Sequence, residues 1–374
     1  MSTKNIRVLV VDDSALIREI ITDNIEAAPG LEVAGTACDG RRALRILDEA
    51  RPDVITLDVQ MPGMNGLETL DVILDRDPVP VIMVSALTQM GANTTLEALD
   101  RGALDYVAKP EMGSQLDEAL NVELIRKIRA MAGTDVRRML RVRKERAERV
   151  RQRTAEQQQE AGQATQVASD PGYDLTDKCI ALGISTGGPP ALSLLFESLQ
   201  PPLPPIVIVQ HMPPNFTKSF AWRLNSCSPL EIREAATGDI LQPNHVYLAP
   251  GGKHLHLRRA EGEVRVRVRD GDPVSGHRPS VDVMMNDAAD IFGDRCLGII
   301  MTGMGRDGSD GCGAIRDAGG YTMGQDEATS DVYGMNKVAH VEGNIDRQFS
   351  LDDAAFEIRR QMQRLWSKET ATAR

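Results

Sequence analysis

Cys179-Ile-Ala-Leu-Gly-Ile-Ser-Thr-Gly-Gly-Pro-Pro190 is the stretch on which the reading of the chain turns. It begins as a short apolar run, the pattern of a buried strand. Three glycines, Gly183, Gly187 and Gly188, then break the run, and Pro189 and Pro190 follow. Proline suits the first turn of a helix, where a backbone donor has no partner in any case. The spacing predicts a strand, a tight turn and a helix, with the Ser185 hydroxyl exposed above a sheet. Gly183, Ser185 and Gly187 match the G-x-S-x-G spacing of a nucleophile elbow. The competing reading is a glycine-rich loop that turns the chain or cradles an anion at a helix start.

Downstream of this stretch the same grammar recurs. Ile206-Val-Ile-Val209 and Cys296-Leu-Gly-Ile-Ile-Met301 read as buried strands. The first leads into Gln210-His211-Met212-Pro213-Pro214, the second into Thr302-Gly-Met-Gly-Arg-Asp-Gly308. In a parallel sheet the carboxyl ends of strands share one edge, and ligands bind there. That edge would gather Ser185, His211 and Asp307. A serine oxygen needs a base to take its proton, and the base needs a carboxylate to orient it. Met304 N–H, in the Gly303-Met-Gly305 turn, is the candidate donor to an oxyanion. His277 is the rival base, and Asp282 and Asp310 are the rival acids. His254 and His256 alternate on a strand, but no third residue at metal-site spacing joins them. The expected helices include Pro190 to Leu199, Phe216 to Asn225, Ser280 to Phe292, Ser309 to Ala318 and Leu351 to Trp366. His245 to Leu248, Val264 to Val268 and Tyr321 to Met323 read as further strands.

The N-terminal third alternates more regularly. Strands are expected at Ile6–Val11, 33–37, 54–57, 80–84 and 105–108, with helices between them. Alternation of this kind implies a doubly wound five-stranded parallel sheet. Asp12, Asp13, Asp58, Ser85 and Lys109 all fall at strand ends. Three carboxylates brought together need a hard cation such as Mg²⁺ among them. Residues 1–124 hold 10 Lys and Arg against 22 Asp and Glu, a net −12, so they account for the acidic balance of a chain whose net charge is −11.

Asp12-Asp13, Asp58-Val-Gln-Met-Pro-Gly-Met-Asn-Gly66, Ser85-Ala and Lys109-Pro110 resemble the receiver domain of two-component response regulators. Gly183-Ile-Ser-Thr-Gly-Gly188, Gln210-His-Met-Pro-Pro214, His277-Arg-Pro-Ser-Val-Asp282 and Thr302-Gly-Met-Gly-Arg-Asp-Gly308 together resemble the chemotaxis protein-glutamate methylesterases. The order Ser, His, Asp differs from that of α/β-hydrolases. The resemblance implies a receiver over 1–124, a helical or flexible linker over 125–175 and a C-terminal α/β esterase domain with a mainly parallel sheet over 176–374. It implies that Asp58 accepts phosphate from a sensor histidine kinase, that Asp12, Asp13 and Asp58 hold Mg²⁺, and that Ser85 and Tyr106 shift on phosphorylation. Lys109 would pair with the acyl phosphate. In the esterase it implies Ser185 as nucleophile, His211 as base, Asp307 as orienting acid and Met304 as oxyanion donor, with Thr186 beside the nucleophile and no cofactor. The implied substrates are methyl-glutamates, and selected glutamines, on the helical signalling region of chemoreceptors.

Between the halves, nine Lys and Arg and two Glu occupy 137–153. No aromatic residues interleave with them, so a solvated, partly helical linker fits better than a DNA-binding arm. A basic run lying against the acidic receiver is the matching electrostatic expectation, and residues 162–175 read as flexible. Acidic net charge argues against general nucleic-acid binding. No apolar run reaches membrane-spanning length and no signal peptide is visible. Five cysteines without paired spacing fit reduced thiols in a cytoplasmic protein.

Overall fold

A computed structural model describes residues 5–109, 118–163 and 173–367. The chain forms two compact units, divided between Lys144 and Glu145. The flexible stretch expected over 162–175 falls largely on residues 164–172, outside the described residues, as do Pro110 and the last seven positions.

The first unit alternates β1 (Ile6–Val11), α1 (Ala15–Ala27), β2 (Leu31–Ala37), α2 (Gly40–Ala50), β3 (Val54–Asp58), α3 (Gly66–Arg76), β4 (Val81–Ser85), α4 (Gln89–Arg101), β5 (Asp105–Ala108) and α5 (Glu118–Met131). Its sheet has the order β2-β1-β3-β4-β5, and every pairing is parallel. The two inner strands β3 and β4 are buried at every residue, which is why they read as unbroken apolar runs. Helix starts follow the local chemistry. Ser14 caps α1 by accepting from Ile17 N, and Asn65 and Glu68 form a reciprocal capping box on α3. Helix α4 starts at Gln89, because Thr88 caps it by accepting from Gly91 N.

Helix α6 (Val136–Gln163) follows. It is one 28-residue helix, and the division between the units falls inside it. The expectation that the basic run lies against the receiver is corrected for its later half. Arg146 and Arg149 pair with Asp352 at 2.5 and 2.6 Å, Arg151 with Glu197 at 3.0 Å, and Arg153 with Asp353. All of these acids belong to the second unit. Charge sign alone could not identify them, because Glu197, Asp352 and Asp353 lie 44 or more residues away in sequence.

The second unit contains β6 (Cys179–Ile184), α7 (Gly188–Ser198), β7 (Ile206–Gln210), α8 (Phe216–Cys227), β8 (Glu231–Glu234), β9 (His245–Leu248), β10 (His254–Ala260), β11 (Glu263–Arg269), α9 (Val281–Phe292), β12 (Cys296–Ile300), α10 (Ser309–Asp317), β13 (Tyr321–Gln325), α11 (Met335–Val341), β14 (Arg347–Phe349) and α12 (Ala354–Trp366). Seven strands pair in parallel in the order β14-β13-β12-β6-β7-β9-β8. Strands β10 and β11 form a separate antiparallel hairpin. From β6 the chain winds outward through β7 to β9 and β8, then returns to the other side at β12. The gap between β6 and β12 is therefore the topological switch point, where such sheets hold ligands.

Strands β6, β7 and β12 are buried throughout. Against them pack Val281, Met284, Met285, Phe292 and Ile315, all at most 1% exposed. Each such side chain contributes about 1.5–3 kcal/mol by leaving water. Close helix approach explains Gly183. A Cβ there would lie 2.3 Å from Val281 Cγ1, so only glycine lets the start of α9 settle over β6.

Candidate active site

Ser185, His211 and Asp307 follow the three central strands β6, β7 and β12. The structure brings them together. His211 Nδ1 lies 3.1 Å from Ser185 Oγ, and His211 Nε2 lies 2.8 Å from Asp307 Oδ2. A carboxylate only accepts, so Nε2 carries the proton and the bare Nδ1 accepts from the serine hydroxyl. Ser185 is 6% exposed and Asp307 is fully buried.

The turn after β6 has the geometry its glycines require. Gly187 adopts φ 79°, a left-handed conformation, at the N-cap of α7. Gly188 N donates to Ser185 O, closing the elbow. Ser185 N donates to Thr302 O, and His211 N to Ile184 O, so the loops after all three strands are stitched together. Gly303 lies against Ser185: a Cβ there would sit 2.8 Å from Ser185 Cβ. Met304 comes next and is half-buried, and Thr186 is buried with its carbonyl accepting from Thr302 Oγ1.

Asp307 is the most fully satisfied group of the site. It accepts from His211 Nε2 and Val281 N at Oδ2, and from Ser280 Oγ and Asp282 N at Oδ1, all within 3.0 Å. Two of these donors are orphan N–H groups of the first turn of α9, which also aims its positive dipole end at the carboxylate. Burial alone would raise its pKa. The His211 bond and the backbone donors overcome this and hold Asp307 well below the usual carboxylate range.

Asp282 returns the arrangement in mirror form. Its Oδ1 accepts from Gly308 N and Gly311 N, each at 2.8 Å, at the start of α10. Thus Asp307 accepts two N–H groups at the start of α9, whose N-cap is Ser280, and Asp282 accepts two at the start of α10. Burial pushes Asp282 up to about 6, opposed by the Gly311 donor and reinforced by the nearby Asp307 charge. Neither rival acid is hydrogen-bonded to His211: Asp282 fastens the turn, and Asp310 pairs with Arg306 at 2.8 Å. His277 does approach the site, with its ring stacked on that of His211. His254 and His256 are engaged elsewhere, the first with Asp272 O and Ser280 N, the second with Asp287.

Sequence reasoning missed Gln210 and Gln325. Gln210 Nε2 donates to both Ser185 O and His211 O, pinning the backbone of both residues. Gln325 Oε1 accepts from Thr302 N and holds the next loop. Their one signal was position, since each is a buried amide at the last residue of an inner strand.

The first unit gathers its own cluster. One ligand atom each from Asp12, Asp13 and Asp58 lies within 4.8 Å of the others. Asp12 and Asp58 are at most 2% exposed, and Asp13 is exposed. Lys109 Nζ bridges Asp12 at 2.8 Å and Asp58 at 2.7 Å. Burial pushes Asp58 up to about 6; the Lys109 bond opposes this and the Asp12 charge adds to it. Three hard oxygen donors, one of them open to solvent, fit a Mg²⁺ ion that keeps several waters. Ser85 and Tyr106 stand on the neighbouring strands β4 and β5, both at most 4% exposed.

An α/β domain with a hydroxyl, an imidazole and a carboxylate in line at its switch point, preceded by a receiver-type sheet, defines a receiver-coupled hydrolase. Residues 180–358 match the model of the CheB methylesterase family, and residues 8–121 that of the response regulator receiver domain. A protein-glutamate methylesterase/protein-glutamine glutaminase of Caulobacter vibrioides is 44% identical, over 92% of this chain and 95% of that one. Proteins of the same name from Koribacter versatilis and Pyrococcus horikoshii are 43% and 42% identical, over 94% and 92% of this chain and 95% and 90% of theirs. The chain belongs to the CheB methylesterase family. No helix among the described residues is long and apolar enough to cross a membrane.

Proposed function

We propose that the chain is a phosphorylation-activated cytoplasmic serine hydrolase. It removes methyl groups from glutamate esters, and deamidates selected glutamines, on the signalling helices of chemoreceptors. The hydrogen-bonded line Ser185–His211–Asp307 carries the reading. Nδ1 of His211 takes the Ser185 proton as Oγ adds to the γ-carbonyl of the substrate. The Met304 N–H meets the oxyanion, and Thr186 frames the same side. Collapse of the adduct expels methanol, which leaves with the proton held at Nδ1. Water, deprotonated in turn by Nδ1, then clears the acyl-enzyme to give the glutamate. Ammonia takes the place of methanol when the substrate is glutamine. Base assistance is worth about 10²–10⁴ in rate and one oxyanion donor about 10²–10³.

In the receiver, over residues 1–124, Asp58 is the carboxylate that accepts a phosphoryl group from a sensor histidine kinase. Asp12, Asp13 and Asp58 would hold Mg²⁺, which supplies positive charge to the incoming phosphoryl oxygens. Lys109 would move from the two carboxylates to the acyl phosphate, and Ser85 and Tyr106 would respond to it. The linker, over 125–175, carries the signal to the esterase domain, over 176–374. Incubation with a methylated receptor fragment, with and without a small phosphodonor and read by mass spectrometry, tests the whole reading. Loss of 14 Da steps, faster with phosphodonor, is expected. An unchanged methylation pattern in both arms refutes the reading.

A further inference from the structure

His211 is held along its edge by Ser185 and Asp307, and a third group meets it face-on. The imidazole of His277 lies parallel to that of His211, with centroids 3.8 Å apart and planes 6° from parallel. The contact is built by a small hairpin. Val274 and His277 exchange two backbone hydrogen bonds, at 3.0 and 2.9 Å. Ser275 and Gly276 between them have φ 52° and 77°, the pattern of a tight turn with both central residues left-handed. Both flanks of this turn are fastened. Ser275 Oγ donates to Asp282 Oδ2 at 3.2 Å, and Arg278 Nη1 donates to Gly271 O at 2.6 Å. Asp282 in turn holds the backbone of Gly308, next to Asp307. One rigid assembly therefore positions both the acid and the stacked ring.

We propose that His277 is a positioning residue for the base, bracing the face of the His211 imidazole while the proton moves. This inference rests on the reading of His211 as the base. The torsion that turns an imidazole about its own axis is soft. Two edge hydrogen bonds restrain it in the resting site. During the reaction the one to Ser185 is given up, because Oγ becomes bonded to the substrate carbon and Nδ1–H must turn to the leaving oxygen or nitrogen. At that moment Asp307 alone holds the edge. A half-turn of the ring would bring carbon atoms to both hydrogen-bonding positions and strand the proton. A flat neighbour at van der Waals distance resists that turn whatever the protonation state of the edge.

The account separates His277 from a second base. A base needs a nitrogen, whereas a brace needs only a flat face. His277→Ala in the full-length protein, assayed on a peptide bearing a glutamate γ-methyl ester, should lower kcat by about tenfold or more with KM within about twofold. His277→Phe should stay within about threefold of the parent. Parental kcat in His277→Ala overturns the proposal, and so does a His277→Phe variant as impaired as His277→Ala. Should His277→Ala fail to fold, NMR of the parent protein decides. The carbon-bound ring protons of His211 should be shifted upfield by the stacked ring, and their absence from that range contradicts the stack. His211→Ala run in parallel keeps the two readings apart. Full activity there defeats the relay itself, while an inactive His211→Ala beside a parental His277→Ala defeats only the brace.

Discussion

The two halves of the molecule place a buried aspartate at the same kind of address, the carboxyl edge of a parallel sheet, and treat it in opposite ways. Asp307 receives four hydrogen bonds, two of them from the start of a helix. Asp58 has a Lys109 bridge and a 3.2 Å bond from Gln60 N, with the Asp12 carboxylate close by. Their proton affinities part accordingly: Asp307 is held far down, and Asp58 is pushed up to about 6. Donor count is the difference. A carboxylate saturated with fixed donors is a permanent anion that orients another group. One with few fixed donors, bridged by a lysine beside a second carboxylate, holds its proton more tightly.

The largest test of this contrast is Asp307→Asn. An amide cannot accept at both oxygen positions, and it would present N–H groups where His211 Nε2–H now donates. The wrong tautomer of His211 would follow, and kcat for ester cleavage should fall about 10³–10⁴-fold. A loss under tenfold would mean that the donors around Asp307 serve the fold and not the base. Asp58→Asn comes next in size. It should abolish the rate increase produced by a phosphodonor, measured as methanol release. Retained stimulation would move the acceptor role away from Asp58.

Asp282→Asn sharpens the same comparison within the second unit. Asp282 has a raised pKa, so its contribution to stability is fully present below its unfolded value near 3.8 and is lost as pH rises through about 6. Asp307 has the opposite sign: it stabilises above its unfolded value and loses that only as pH falls through its depressed one. An asparagine at 282 can still accept from Gly308 N and Gly311 N. The melting temperature should therefore rise by about 3 °C at pH 8 relative to the parent and show little gain at pH 4. An equal shift at both pH values would show that the charge of Asp282 carries no cost.

The edge of each sheet was legible because β3, β4, β6, β7 and β12 are buried on both faces and therefore appear as short apolar runs. Where such a run stops, the chain exits at the ligand-binding edge, so Asp58, Ser85, Ser185 and His211 could be read together from sequence. The outer strands of the second sheet, β8 and β14, were not legible. Glu231-Ile-Arg-Glu234 and Arg347-Gln-Phe349 each carry one large apolar residue and owe their pairing to a neighbour already in place. Orientation was equally hidden. Spacing cannot tell which nitrogen of His211 meets Ser185, nor that His277 stacks on His211, because both depend on loops converging from separate strands. Asp282 looked like an ordinary acid at a helix start, and only the fold shows that it accepts two N–H groups at the start of the neighbouring helix α10 instead.

Labelling with a fluorophosphonate probe, followed by peptide mass spectrometry, addresses the central claim most directly. The account predicts one adduct, on Ser185, formed quickly in the parent and at least about 10²-fold more slowly in His211→Ala. An adduct on another residue, or labelling of Ser185 at the parental rate without the His211 imidazole, would contradict it.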